Sequence, residues 1–372
     1  MNYSKPVRYN DNPVTSNRKV RKVTHNILMS LGVPIVFTLI AIALTWPTGR
    51  FMFINMDHGG MDPILIKAFV KRCLLVLVAA TALNTNLNSG RMDFALGATG
   101  ILGSVLALQV TQLIGDGQNP LVLLAFTILF SMVLGLIHGL IYIVLKLPPI
   151  VVSLGMCLIF EGIAFVIAGG KSEIPLKFIG EMTDSWAFIL ISMVAVMIFM
   201  SIFLCYTKFG YNKNALVFDQ RISVETGINE VRSAIICYIV AGALIGLYQF
   251  ISASGFGNIG IKIDLGSSQE VFKNFLPIFI GGILAKYSNQ IVGLSLAIFS
   301  TTILTEGMDN NAASVEHGFL TSTAITLITS FMVFGVLVYM VDKNRFINWL
   351  KMRKYVATEK YLNPVIKAEG EK

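Results

Sequence analysis

The densest group of side chains able to do chemistry is the stretch LNTNLNSGRMDFALGATGILG, residues 83–103. It sets Asn84, Asn86 and Asn88 at the end of an apolar run, follows them with Arg91 and Asp93, and then spaces Gly97, Gly100 and Gly103 three apart. Amides and a carboxylate in apolar surroundings can hold a polar solute or an ion, and a helix interrupted at residues 89–93 would free backbone groups that only protein or a hydrated cavity can satisfy. A plainer reading stands beside that one: Asp93 pairs with Arg91 or caps a helix, and the three glycines let a neighbouring backbone approach.

Bond-breaking chemistry lacks its groups. GGKS at Gly169–Ser172 resembles the end of a phosphate-binding loop, but Phe165 stands where that loop needs its first glycine. His25, His58, His138 and His317 are scattered without the paired spacing of a zinc or di-iron site, and no G-x-S-x-G elbow occurs. The sequence therefore predicts no catalytic residues, no metal ligands and no cofactor in this chain.

The elements that must position the polar cluster are long and apolar. Of the 372 residues 55% are hydrophobic and 13% charged, and the mean hydropathy is +0.71. That composition belongs to an all-α polytopic membrane protein. Spans of about 20 apolar residues fall at 27–46, 69–87, 93–114, 119–145, 149–168, 186–205, 232–252, 272–286, 288–305 and 318–341, some of them short or broken. Basic residues crowd both ends, Lys5 to Lys22 and Lys343 to Lys360. By the positive-inside rule both termini are cytoplasmic. Ten spans then put 206–231 inside and 253–271 and 306–317 outside. The predicted organisation is a basic tail, 1–26, a transmembrane domain, 27–341, and a charged tail, 342–372, whose partners are membrane lipids. The charge of +8 is a topology signal with no nucleic-acid partner implied. Cys73, Cys157, Cys205 and Cys237 read as small apolar packing residues.

Small-residue spacings recur at Gly135 with Gly139 and at Gly242 with Gly246, as expected of helix contacts in a membrane. The adjacent Gly281 and Gly282 suggest a bend or a tight crossing. Between two apolar runs, GYNKNALVFDQRISVETGINEVRSA, residues 210–234, is polar. Asp219 can cap a short helix over 220–226, Gly227 suits the left-handed residue that ends it, and Asn229 can cap the next span. So short a helix must be docked on something, either its own membrane domain or a partner.

Three stretches together resemble the membrane permease subunits of bacterial ABC importers of the ribose and branched-chain amino acid type. Gly90 to Gly97 is similar to the family's GGIDLSVG, with Arg91 and Ala95 in place of glycine and serine. Residues 138–170 share Gly139, Pro149, Leu154, Gly155, Gly162, Gly169 and Gly170 with the family pattern, and depart from it at His138 and Glu161. Gly210, Ala215, Gly227, Ile228, Ala241 and Gly242 follow the third stretch, with Gly281-Gly282 and Glu306-Gly307 beyond it.

The resemblance implies a permease subunit in a bacterial cytoplasmic membrane, forming the path for a small polar solute, a sugar or nucleoside before an amino acid. It implies a second permease subunit, identical or different, and an extracytoplasmic solute-binding protein. A separate ABC ATPase subunit would carry ATP and magnesium. On it, residues 219–228 become a coupling helix, with Asp219, Arg221, Ile222, Glu225, Gly227 and Ile228 facing the ATPase. Asn84, Asn88, Asp93 and Gly97 become candidates for the solute path. The alternative is a self-sufficient secondary transporter in which Asp93 or Glu161 binds a proton or an ion.

Overall fold

The structure, a computed structural model, describes residues 13–46, 50–51, 54–55, 60–61, 63–87, 91–114, 119–176, 182–218, 220–313, 320–335 and 338. The chain divides into two units, Met1–Ser322 and Thr323–Lys372. The first begins with α1 (Pro13–Thr45), three two-residue strands, β1 (Arg50–Phe51), β2 (Ile54–Asn55) and β3 (Gly60–Met61), and α2 (Pro63–Leu87). Four more helices follow: α3 (Leu96–Leu113), α4 (Pro120–Leu145), α5 (Pro149–Ile167) and, after β4 (Glu173–Pro175), α6 (Trp186–Met200), which runs into a π-helical turn over Ser201–Tyr206. Then come α7 (Lys208–Phe218), α8 (Gln220–Glu225), α9 (Glu230–Phe256), β5 (Asn258–Gly260), α10 (Gly266–Phe272), α11 (Phe275–Leu284) and α12 (Gln290–Ala313). The second unit holds the apolar helix α13 (Ser322–Gly335).

Among the described residues seven helices are long and apolar enough to cross a bilayer: the apolar part of α1, α3, α4, α5, α6 with the turn after it, α9 and α12. The remaining three of the ten expected spans fall on α2, a 25-residue helix with Lys67, Lys71 and Arg72 in its first half, on the short α11, and on α13. α4 differs from a helix of a water-soluble bundle. Its buried residues are mostly small or polar, Thr127, Ser131, Gly135, His138 and Gly139 with Leu123 and Leu134, while Leu121, Leu129, Val133, Leu140 and Val144 point outward. Such a helix places its apolar side chains in lipid and reserves its small and polar ones for neighbours.

The core is α9, packed against α2, α3 and α4. Its crossing with α4 is set by glycine. A Cβ on Gly135 would lie 2.4 Å from the Tyr238 carbonyl oxygen, and one on Gly242 would lie 2.4 Å from that of Ser131. The backbones touch, which a lipid-embedded pair uses in place of a hydrophobic driving force. The three glycines at the start of α3 meet three different partners: Gly97 the Ser267 backbone, Gly100 the Ile245 carbonyl on α9, and Gly103 Ser131 on α4. The paired glycines of α11 divide likewise. Gly281 is pressed on Leu294, whereas the space beside Gly282 is open, and α11 runs through both as a helix.

One connection carries structure of its own. Residues 253–271 read as an external loop, and its first part does run to β5, which pairs antiparallel with β4. Beyond it, α10 turns back among the helices, where Ser267 and Ser268 are buried against α3 and α5. Glu161 meets it there, its carboxylate accepting hydrogen bonds from the start of α10.

Candidate functional site

Asp93 stands just ahead of α3 and is buried. Its Oδ1 accepts the Ala95 N–H at 2.9 Å, a local turn of the kind aspartate favours. Its Oδ2 accepts from Asn86 Nδ2, on the last turn of α2, at 2.9 Å and lies 3.6 Å from His138 Nδ1 on α4. The His138 ring is 4.6 Å from that of Tyr238 on α9. Four elements thus meet around one carboxylate, as a charge at membrane depth requires, since leaving it among lipid costs about 3 kcal/mol or more.

Arg91 does not pair with Asp93 as the sequence allowed. Its Nη2 donates to Glu230 at the start of α9, at 3.2 Å, and its guanidinium lies 5.6 Å from the centre of the Tyr142 ring. Asp93 is engaged by Ala95 and Asn86, so the basic side chain goes elsewhere.

Glu161, on α5, is the third buried polar centre. Its carboxylate accepts the N–H of Leu265 at 2.9 Å and of Ser267 at 2.8 Å, and also the Ser267 hydroxyl. An acidic group from another helix therefore caps the first turn of α10, where free N–H groups and the helix dipole favour negative charge. Ser268 donates to the Phe94 carbonyl at 2.7 Å, and Cys157 lies against both serines. The Asp93 and Glu161 centres are therefore linked through α10.

Among the four path candidates, the structure brings Asp93 together with Asn86, which the sequence grouped with it but did not carry into the path, and with His138, which the sequence did not single out for a site. Asn84 is buried on α2, about 200° around the helix from Asn86, and so on another side. Gly97 is filled by the approach of Ser267 and offers backbone packing. Asn88 lies outside the described residues. His138 carried one signal in the sequence, a lone imidazole in an otherwise apolar helix.

In the polar segment, α8 ends as its glycine predicts. Gly227 has φ +91°, its N–H donates to the Val224 carbonyl at 3.0 Å, and the Ile228 N–H reaches back to Ser223 at 3.1 Å. These two bonds form a Schellman ending. Asn229 then caps α9, its side chain accepting the Arg232 N–H at 3.0 Å. Ser223 is buried, while Ile222 and Val224 are 60% and 46% exposed, with Glu225 also outward. Asp219 and the side chain of Arg221 lie outside what the structure describes. The GGKS stretch ends α5 by the same device: Gly170 and Gly169, at φ +76° and +68°, donate to Phe165 and Val166.

Bundled apolar helices, glycine crossings and buried polar centres define an all-α polytopic membrane protein. No family model matches the chain. It is 25% identical over 226 residues to the xylose/arabinose import permease protein XylH of Sulfolobus acidocaldarius, a match covering 58% of this chain and 62% of that protein's length. It is 23% identical over 260 residues to the autoinducer 2 import system permease protein LsrD of Escherichia coli, covering 65% of this chain and 77% of the relative. A solved chain of a metal-chelate-type ABC transporter in an inward-facing conformation aligns over 85% of this chain and 99% of its own, at 14% identity and a TM-score of 0.49. Over these stretches the chain is similar in sequence to two proteins named as import permeases, in line with the resemblance read from its motifs.

Proposed function

We propose that this chain is the membrane-spanning permease subunit of an ABC importer, taking a small polar solute across a bacterial cytoplasmic membrane. The observation that carries the reading is α8. It is a short helix between two spans, fixed at one end by Gly227 and Asn229, that turns Ile222 and Val224 outward. Exposed apolar side chains on an otherwise polar segment suit a groove in another protein, and so short a helix is not held by its own hydrogen bonds. The occupant is a separate ATPase subunit carrying ATP and magnesium. Closure of that subunit would pass through α8 to α9 directly and through α7 to α6. The similarity to permeases named for xylose/arabinose and for autoinducer 2 import supports a sugar-like solute first, a nucleoside beside it and an amino acid next. The remaining parts of the reading are a second permease subunit and an extracytoplasmic solute-binding protein.

The Asp93–His138 pair supports a second reading, a secondary transporter driven by proton or ion binding at that pair. Glu161 is less suited to this role, because its carboxylate is committed to α10.

A photo-crosslinking residue at position 222, activated in native membranes, separates the two. The importer reading predicts one dominant adduct, with a P-loop ATPase. Adducts with lipid or with the chain itself alone would favour the secondary transporter.

A further inference from the structure

The ends of α4 and α9 and the segment before α3 enclose a cavity of about 300 Å³, lined among others by Arg91, Tyr142, Lys146, Leu147 and Glu230. Arg91 is only 4% exposed. It spends one N–H, on Nη2, on Glu230, while Nε and Nη1 are buried without an acceptor among the described residues. A buried donor left unmet costs about 1–3 kcal/mol, and here two sit on one cation. Lys146 adds a second cation from a left-handed residue, φ +53°, that ends α4. Glu230 brings one negative charge to the lining against the two positive ones. The first turn of α9, whose dipole is positive at that end, also opens on the cavity through Val231. Apolar Ile143 and the exposed Leu147 line it as well.

We propose that this cavity is a phosphate-binding site. A phosphate group supplies several acceptor oxygens for Nε and Nη1 and the negative charge that Arg91 and Lys146 lack. Two sources share that chemistry. An anionic phospholipid would lay its headgroup in the cavity and its chains along Ile143 and Leu147, whereas free phosphate would use the polar groups alone. Occupied, the site ties the end of α4 to the start of α9, next to α8. The inference does not rest on the importer reading and would hold for either class of transporter.

The test uses the full chain, purified and delipidated in detergent. Bound lipid is counted by native mass spectrometry with added phosphatidylglycerol or diacylglycerol. Thermal unfolding is followed in sodium phosphate against sodium chloride at matched ionic strength. The headgroup source predicts retention of phosphatidylglycerol over diacylglycerol, lowered roughly fivefold by Lys146→Gly, which keeps the backbone, and tenfold or more by Arg91→Gln, with Lys171→Gln unchanged. The free-phosphate source predicts no lipid preference but a rise in unfolding temperature with phosphate that both variants lose. If neither ligand distinguishes the native chain from a folded Lys146→Gly, the proposal is overturned. That variant decides the matter should Arg91→Gln fail to fold.

Discussion

The Asp93 carboxylate faces the His138 imidazole at 3.6 Å, both side chains closed off from the surface, and takes Asn86 as its hydrogen-bond donor. Three helices, α2, α3 and α4, are thereby held at one point. Asp93→Leu strands the amide of Asn86, the Ala95 N–H and the imidazole together. We expect it to cost about 3–5 kcal/mol in detergent unfolding. Asp93→Asn keeps an acceptor for Ala95 and should cost about 1 kcal/mol. Combining it with His138→Asn in a double-mutant cycle should return a coupling of about 0.5–3 kcal/mol. Additive effects would mean the two side chains do not interact.

Glycine substitutions should separate sharply by neighbour. Gly242→Ala forces a methyl onto the Ser131 carbonyl and should lose about 1–3 kcal/mol, lowering the unfolding temperature. Gly282→Ala meets open space within a helix and should be neutral or raise stability by up to about 1 kcal/mol. Equal effects at the two positions would contradict the α4–α9 crossing.

Glu161 holds α10 in place, and Cys157 lies beneath it. In a chain whose single cysteine is Cys157, Glu161→Gln replaces an acceptor with a donor facing the Leu265 and Ser267 N–H groups. The labelling rate of Cys157 by a water-soluble maleimide should rise by roughly tenfold or more, since each lost hydrogen bond to a charged group is worth about 1.5–3 kcal/mol. An unchanged rate would show that α10 is held by packing alone.

Gly227 lies at φ +91° with open space around it, so conformation rather than room restricts the position. Gly227→Ala should cost about 1–2 kcal/mol at the end of α8 and weaken recovery of the ATPase subunit, while insertion of the chain in the membrane is retained. Recovery equal to that of the native chain would remove α8 from the coupling path.

What could be read in the sequence was whatever depends on neighbours along the chain. Apolar runs mark α4 and α9 to within a few residues. Gly227 and Asn229 mark the end of α8 and the start of α9, because caps are local. The glycine pairs marked surfaces of close approach but not their partners: Gly135 meets Gly242 from the other helix, a relation that spacing within α4 cannot contain. Nor could the sequence say that Arg91 would bypass Asp93 for Glu230. That outcome depends on Asn86 and Ala95 having already occupied the carboxylate. The inward turn of α10 was hidden for a similar reason. Its polar residues read as an external loop, and the partners that satisfy them when buried, Glu161 and the Phe94 carbonyl, are distant in sequence.

An importer permease of this kind must work with a separate ATPase. The most direct measurement is to tag it in its native host, purify it in mild detergent beside a control importer that stays assembled, and quantify what accompanies it by mass spectrometry. An importer should bring down a P-loop ATPase in equal amount, with a solute-binding protein recovered beside it. Recovery of this chain alone, while the control remains intact, would contradict the importer and turn attention to Asp93 and His138 as a proton or ion site.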